Sequence, residues 1–105
     1  MSTSVILETG QGKRSPVTIR QIEYFVAAVE CGSFTAAAEE KDITVQGLSQ
    51  AVADLEREIG ARLLVRGKEG TSPTPFGREC YSRAKILLRQ FRDFDALIHA
   101  RRRLS

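Results

Sequence analysis

The chain has no tryptophan, one methionine, one histidine and two cysteines, and each scarcity removes a class of protein. Cys31 and Cys80 are too few for a disulfide framework, and neither belongs to a CxxC pair. They read as reduced, largely buried small hydrophobes of a cytoplasmic protein. With His99 the only histidine, neither a histidine-built metal site nor a histidine-based triad is expected. No nucleophile–base pair, carboxylate pair or phosphate-loop glycine pattern appears, so the chain is not expected to be an enzyme or to carry a cofactor. No apolar run is long enough to cross a bilayer, and no charged-then-apolar leader precedes a small-residue cleavage site. No membrane association is expected.

What remains is 105 residues with 42% apolar content, enough for a single core. The formal charge of +3 is unevenly spread. Arg83 to Arg103 holds seven Lys/Arg against Asp93 and Asp95, whereas Thr44 to Glu79 holds five of each sign. The basic excess thus lies near the C-terminus, in a helix and the Arg101-Arg102-Arg103 run, which reads as a solvated face or as a nucleic-acid contact. Residues 1 to 17 read as a flexible arm, because Gly10, Gly12 and Pro16 break its periodicity; Lys13 and Arg14 make its end basic. A short strand at Val5-Ile6-Leu7 would lack neighbours.

The first helix starts at Thr18, where Thr18 and Gln21 have capping-box spacing, and carries the stripe Ile19, Ile22, Phe25, Val26 and Val29 up to Gly32. Ser33 caps a second helix containing Ala36, Ala37 and Ala38. Thr44 caps a third, whose Leu48, Val52, Leu55 and Ile59 recur at 4, 3 and 4. Two helices joined by so short a turn form a helix-turn-helix, whose second member can enter a major groove. Arg62 to Arg66 is a short strand, Gly67-Lys68-Glu69-Gly70 a turn, and Thr71-Ser72-Pro73 a returning edge; together they make a two-stranded wing. Thr74 and Pro75 open the last helix. Along it Cys80, Ala84, Leu87, Phe91, Phe94 and Ile98 recur at 4, 3, 4, 3 and 4, a seam too long for a three-helix core to cover. Left uncovered, it would be an exposed apolar patch, so these residues are expected to form a homodimer interface.

On the third helix, Leu48, Val52 and Leu55 face the core and leave Val45, Gln46, Ser49, Gln50 and Ala53 opposite. Gln46 and Gln50 share a face, and glutamine can pair bidentately with adenine; Val45 or Ala53 can meet a thymine methyl, and Ser49 suits a phosphate or base edge. Ser33 and Thr35 stand at a helix N-terminus, which favours a phosphate. Arg66, Lys68 and Thr74 stand where the wing would cross the DNA backbone. The competing reading of Arg66 is an ion pair with Glu69 or Glu79.

Residues 19 to 78 resemble the DNA-binding domain of LysR-type transcriptional regulators. That family shows L-x-x-F, then G-S-F/S-x-x-A-A, then L-E-x-x-L-G closing the recognition helix, and L-F-x-R followed by L-T-x-x-G. Here these stand as Ile22-Glu23-Tyr24-Phe25, Gly32-Ser33-Phe34 with Ala37-Ala38, Leu55-Glu56 with Ile59-Gly60, Leu63-Leu64-Val65-Arg66, and Pro73-Thr74-Pro75-Phe76-Gly77. The chain departs from the pattern at Lys41, where the family has leucine, at Ala36, Leu64 and Pro73, and at the opening Thr44-Val45-Gln46-Gly47 of the recognition helix.

The resemblance implies a mainly α, winged helix-turn-helix fold: a three-helix core and two-stranded wing over residues 18–77, followed over 78–105 by a long dimerising linker helix and basic tail. It implies sequence-specific binding of double-stranded DNA by a homodimer on an inverted repeat, in the bacterial cytosol. It adds Arg20 and Gln21 to the backbone contacts. The family's ligand-binding domain follows the linker helix; without it no small-molecule ligand is expected in this chain. The alternative is a winged helix used for protein contact, suggested by a recognition region free of Lys and Arg.

Overall fold

The computed structural model describes residues 17–104. The expected arm, Val17 apart, lies outside the described residues. Four helices and a two-stranded antiparallel sheet follow in the order α1 (Ile19–Cys31), α2 (Phe34–Lys41), α3 (Val45–Ile59), β1 (Leu64–Gly67), β2 (Gly70–Pro73) and α4 (Pro75–Leu104). The fold is a winged helix-turn-helix with a long C-terminal helix.

Local chemistry sets these boundaries. The capping box of α1 is complete: Gln21 N donates to Thr18 Oγ1 and Thr18 N to Gln21 Oε1, both at 3.1 Å. Ser33 Oγ and Thr44 Oγ1 accept from Ala36 N and Gly47 N to cap α2 and α3. Between them the chain turns at Asp42, in the left-handed region at φ 58° that short polar side chains tolerate.

The helices enclose a core in which Phe25, Leu48, Leu63 and Leu64 are fully buried, and no polar residue is buried among the described ones. Each fully buried leucine stabilises the fold by about 1.5–3 kcal/mol. Helix α4 joins this core only over its first half. Its Ala84 and Leu88 are buried, and Gly77 lies so close to Leu63, just before β1, that a Cβ there would sit 2.0 Å from the Leu63 carbonyl oxygen. The glycine is therefore what lets the helix approach the chain as it enters the strand.

Two expectations are adjusted. The expected seam divides: Ala84 is taken by the chain's own core and Cys80 packs against it, while Leu87, Phe91, Phe94 and Ile98 are exposed. The reason is a second apolar stripe, Gly77, Tyr81, Ala84 and Leu88, that runs beside the first and turns inward. Cys31 and Cys80 are both half-buried rather than largely buried, and both are free thiols; Cys31 Sγ donates to Glu40 Oε1 at 3.1 Å. That bond to Glu40 pushes the Cys31 thiol pKa up, and burial does the same to Cys80.

Candidate nucleic-acid interface

One face of the molecule brings together α3, the N-terminus of α2 and the wing. On α3, Val45, Gln46 and Gln50 are exposed, whereas Ser49 and Ala53 are half-buried. These last two line a shallow cleft with Phe34, Glu56, Arg62 and Arg66. The five expected base readers thus occupy two positions: three project outward and two sit at the junction with the wing.

The wing is held to this junction by polar contacts that sequence reasoning missed. Glu56 Oε2 accepts from Leu63 N at 2.7 Å and Leu64 N at 3.1 Å, and pairs with Arg62 Nε at 3.5 Å. One carboxylate therefore satisfies two backbone donors as the chain enters β1, where no ladder serves them. Thr71 N donates to Gly32 O at 2.9 Å, tying β2 to the end of α1. The contact needs Gly70, at φ 117°, where a Cβ would lie 2.6 Å from that same carbonyl oxygen. The register Leu64↔Pro73, Val65↔Ser72, Arg66↔Thr71 and Gly67↔Gly70 leaves Lys68 and Glu69 at the tip.

Arg66 makes no ion pair with Glu69 or Glu79 among the described residues. Its guanidinium lies over the Phe34 ring, 4.0 Å from the centroid. That contact limits where the charge can swing and leaves the N–H edge open to a phosphate. Lys68, Arg20 and Thr35 are exposed, and Gln21 is half-buried with its carbonyl engaged in the α1 cap. Ser33 Oγ already accepts a cap bond, which leaves its hydroxyl proton for a ligand. The Thr74 hydroxyl is more fully committed, donating to Arg62 O at 2.8 Å and accepting from Gly77 N at 2.9 Å.

Away from this face, Lys41 lines a polar cleft of about 190 Å³ with Glu23, Glu30, Glu40, Lys85 and Arg92. The lysine stands in charged company rather than in the core. Glu30 accepts there from Lys85 Nζ at 2.7 Å and Tyr81 OH at 2.8 Å, which together hold its pKa below the ordinary carboxylate value. No group of three or more His, Cys, Asp or Glu among the described residues is arranged to hold a metal. No helix among them is long and apolar enough to cross a membrane.

A solvent-facing helix beside a wing, both resting on one small core, defines a winged helix-turn-helix domain. Residues 19–78 match the bacterial regulatory helix-turn-helix protein, lysR family. The chain belongs to that family. It is 41% identical over 83 residues to the nitrogen assimilation regulatory protein nac of Escherichia coli (strain K12), a match covering 79% of this chain and 27% of that protein. It is 36% identical over 88 residues to the HTH-type transcriptional activator BauR of Pseudomonas aeruginosa, covering 84% of this chain and 29% of the relative. The chain thus spans under a third of the length of these curated relatives. Among solved structures, the BenM DBD in complex with catB site 1 DNA superposes with a TM-score of 0.75 at 36% identity, covering 79% of this chain and 92% of that one. BenM is an HTH-type transcriptional regulator of Acinetobacter baylyi.

Proposed function

We propose that this chain is the sequence-specific DNA-binding domain of a bacterial LysR-type transcriptional regulator, acting in the cytosol as a homodimer on an inverted repeat and performing no catalysis. The observation that carries the reading is the exposure of Gln46 and Gln50 on α3 beside an Arg66 held over Phe34. Base edges are read by uncharged side chains, and phosphates are met by cations on the flanking elements. That a similar domain, BenM DBD, has been solved in complex with DNA supports DNA binding here.

In this reading Arg66, Lys68, Arg20 and Gln21, with Ser33 and Thr35 at the α2 N-terminus, take phosphates. Thr74 contributes chiefly by fixing the wing. The Arg101-Arg102-Arg103 run adds positive field rather than readout. Because Thr44 to Glu56 contains no Lys or Arg, one domain binds weakly by charge, and two joined domains are needed for useful affinity. Support for self-association comes from an apolar groove of about 510 Å³ between α1, α3 and α4, lined by Val17, Ile22, Ile59, Phe76 and Leu87 among others. Through Leu87 it is continuous with the exposed stripe of Phe91, Phe94 and Ile98, so a second copy would cover both.

The test is retention of the chain on duplex DNA as salt is raised. Binding that weakens linearly in log–log form, by about 0.9 per phosphate contact, is expected. A chain that does not bind duplex DNA at low salt would instead fit a winged helix used for protein contact.

A further inference from the structure

The outward face of α3 carries a second feature that its uncharged start does not explain. Gln50 Nε2 donates to Asp54 Oδ1 at 2.9 Å, and the Arg57 guanidinium donates to the same oxygen. The three residues follow at i, i+4 and i+7 on one face, which also carries Gln46. An arginine only donates, so Asp54 Oδ1 is an acceptor. It can therefore receive a hydrogen bond from the Gln50 nitrogen and cannot receive one from the Gln50 oxygen. The two ends of this amide, interchangeable in an unrestrained glutamine, are thereby distinguished.

We infer that Asp54 is a specificity-positioning residue: it orients the Gln50 amide so that Oε1 and the remaining N–H present an acceptor–donor pair fitted to adenine. Adenine offers the complementary N6 donor and N7 acceptor in the major groove, whereas guanine offers two acceptors there. Arg57 holds the carboxylate in place and offsets its charge close to the DNA backbone. Gln46 makes no such side-chain bond among the described residues, so its amide turns freely and the base pair beneath it is read less strictly. The inference rests on the DNA-binding role proposed above.

A surface Gln–Asp pair that only supported the helix would not alter base preference, which makes selection from a random duplex pool the right experiment. The full chain, Gln50→Ala, Asp54→Ala and the double variant are compared, with helicity checked by circular dichroism. Wild type is expected to enrich adenine at one base pair of each half-site. Gln50→Ala should lose that preference about tenfold, the lower range of a good bidentate contact. Asp54→Ala should relax the same base pair and no other, and should add nothing there in the Gln50→Ala background. If Asp54→Ala strengthens binding to all sequences with the preference intact, or if Gln50→Ala loses no preference, the inference is overturned while the DNA-binding role stands. A wild-type chain that enriches nothing overturns both.

Discussion

Glu56 reaches from near the end of α3 to two backbone N–H groups at the entry to β1, and so links the helix to the wing. Its removal leaves both donors half-buried and unsatisfied. Glu56→Ala should destabilise the fold by about 1.5–3 kcal/mol, the range for hydrogen bonds to a charged group. Urea unfolding would measure this, and a midpoint equal to wild type would refute it. Gly77→Ala should be destabilising as well, by about 1–3 kcal/mol, since the added carbon meets backbone that cannot rotate away. Arg66→Ala belongs to a different kind of residue, exposed and resting on Phe34. It should leave stability near wild type, weaken binding similarly on all DNA sequences and flatten the salt slope by about one unit. A change in the selected sequence would instead make Arg66 a base reader. The caps of this scale were legible in the sequence, because Thr18 with Gln21, Ser33, Thr44 and Thr74 act over three residues. Glu56 was not, because its partners lie seven and eight residues away and become neighbours only when the chain turns at Gly60.

At the scale of elements, α4 is two helices in one. Up to Leu88 it is a core helix; beyond it, about 24 Å of helix at 1.5 Å per residue carries exposed Phe91, Phe94, Leu97 and Ile98. The periodicity revealed an apolar seam, but not that Ala84 and Leu88 form a second stripe. A linear pattern does not say which of two adjacent stripes turns inward. The short wing was legible through Pro73 and the paired glycines around Lys68-Glu69, although Arg62 and Leu63, expected within its strand, precede β1. Replacing Phe91 and Phe94 together with glutamate should give a folded monomer by sedimentation. A dimer that survives the exchange would place the interface elsewhere. The packing of α4 on α1 also carries a pH dependence. Lys85 and Tyr81 on α4 lower the pKa of Glu30 on α1, so the carboxylate favours folding above its unfolded value, and that contribution fades as pH falls through the lower folded value. Because the pair is substantially exposed, the effect is small. Thermal melts of wild type and Glu30→Gln should differ at neutral pH and converge in the acid range. A constant difference would contradict the linkage.

For the whole molecule, the proposed function divides affinity and specificity between parts that one copy does not combine alone. In that reading the uncharged start of α3 meets bases, the cations that meet phosphates lie on flanking elements, and the apolar stripe that would join two copies begins where the core ends. The class of fold was legible because its motifs occur in order over residues 19–78. How Ser49 and Ala53 share a cleft with the wing was not, since that depends on the packing angle of α3 against the wing. If two copies meet through α4, two α3 helices lie on one side of the pair, and the best site is an inverted repeat with centres about 34 Å apart, one turn of DNA. The most direct measurement is a titration of the chain against two duplexes, one bearing the selected full repeat and the other a single intact half-site. Binding to the full repeat is expected to be at least tenfold tighter, with both halves filled together. Equal affinity for the two duplexes would contradict it and make the chain a monomeric reader.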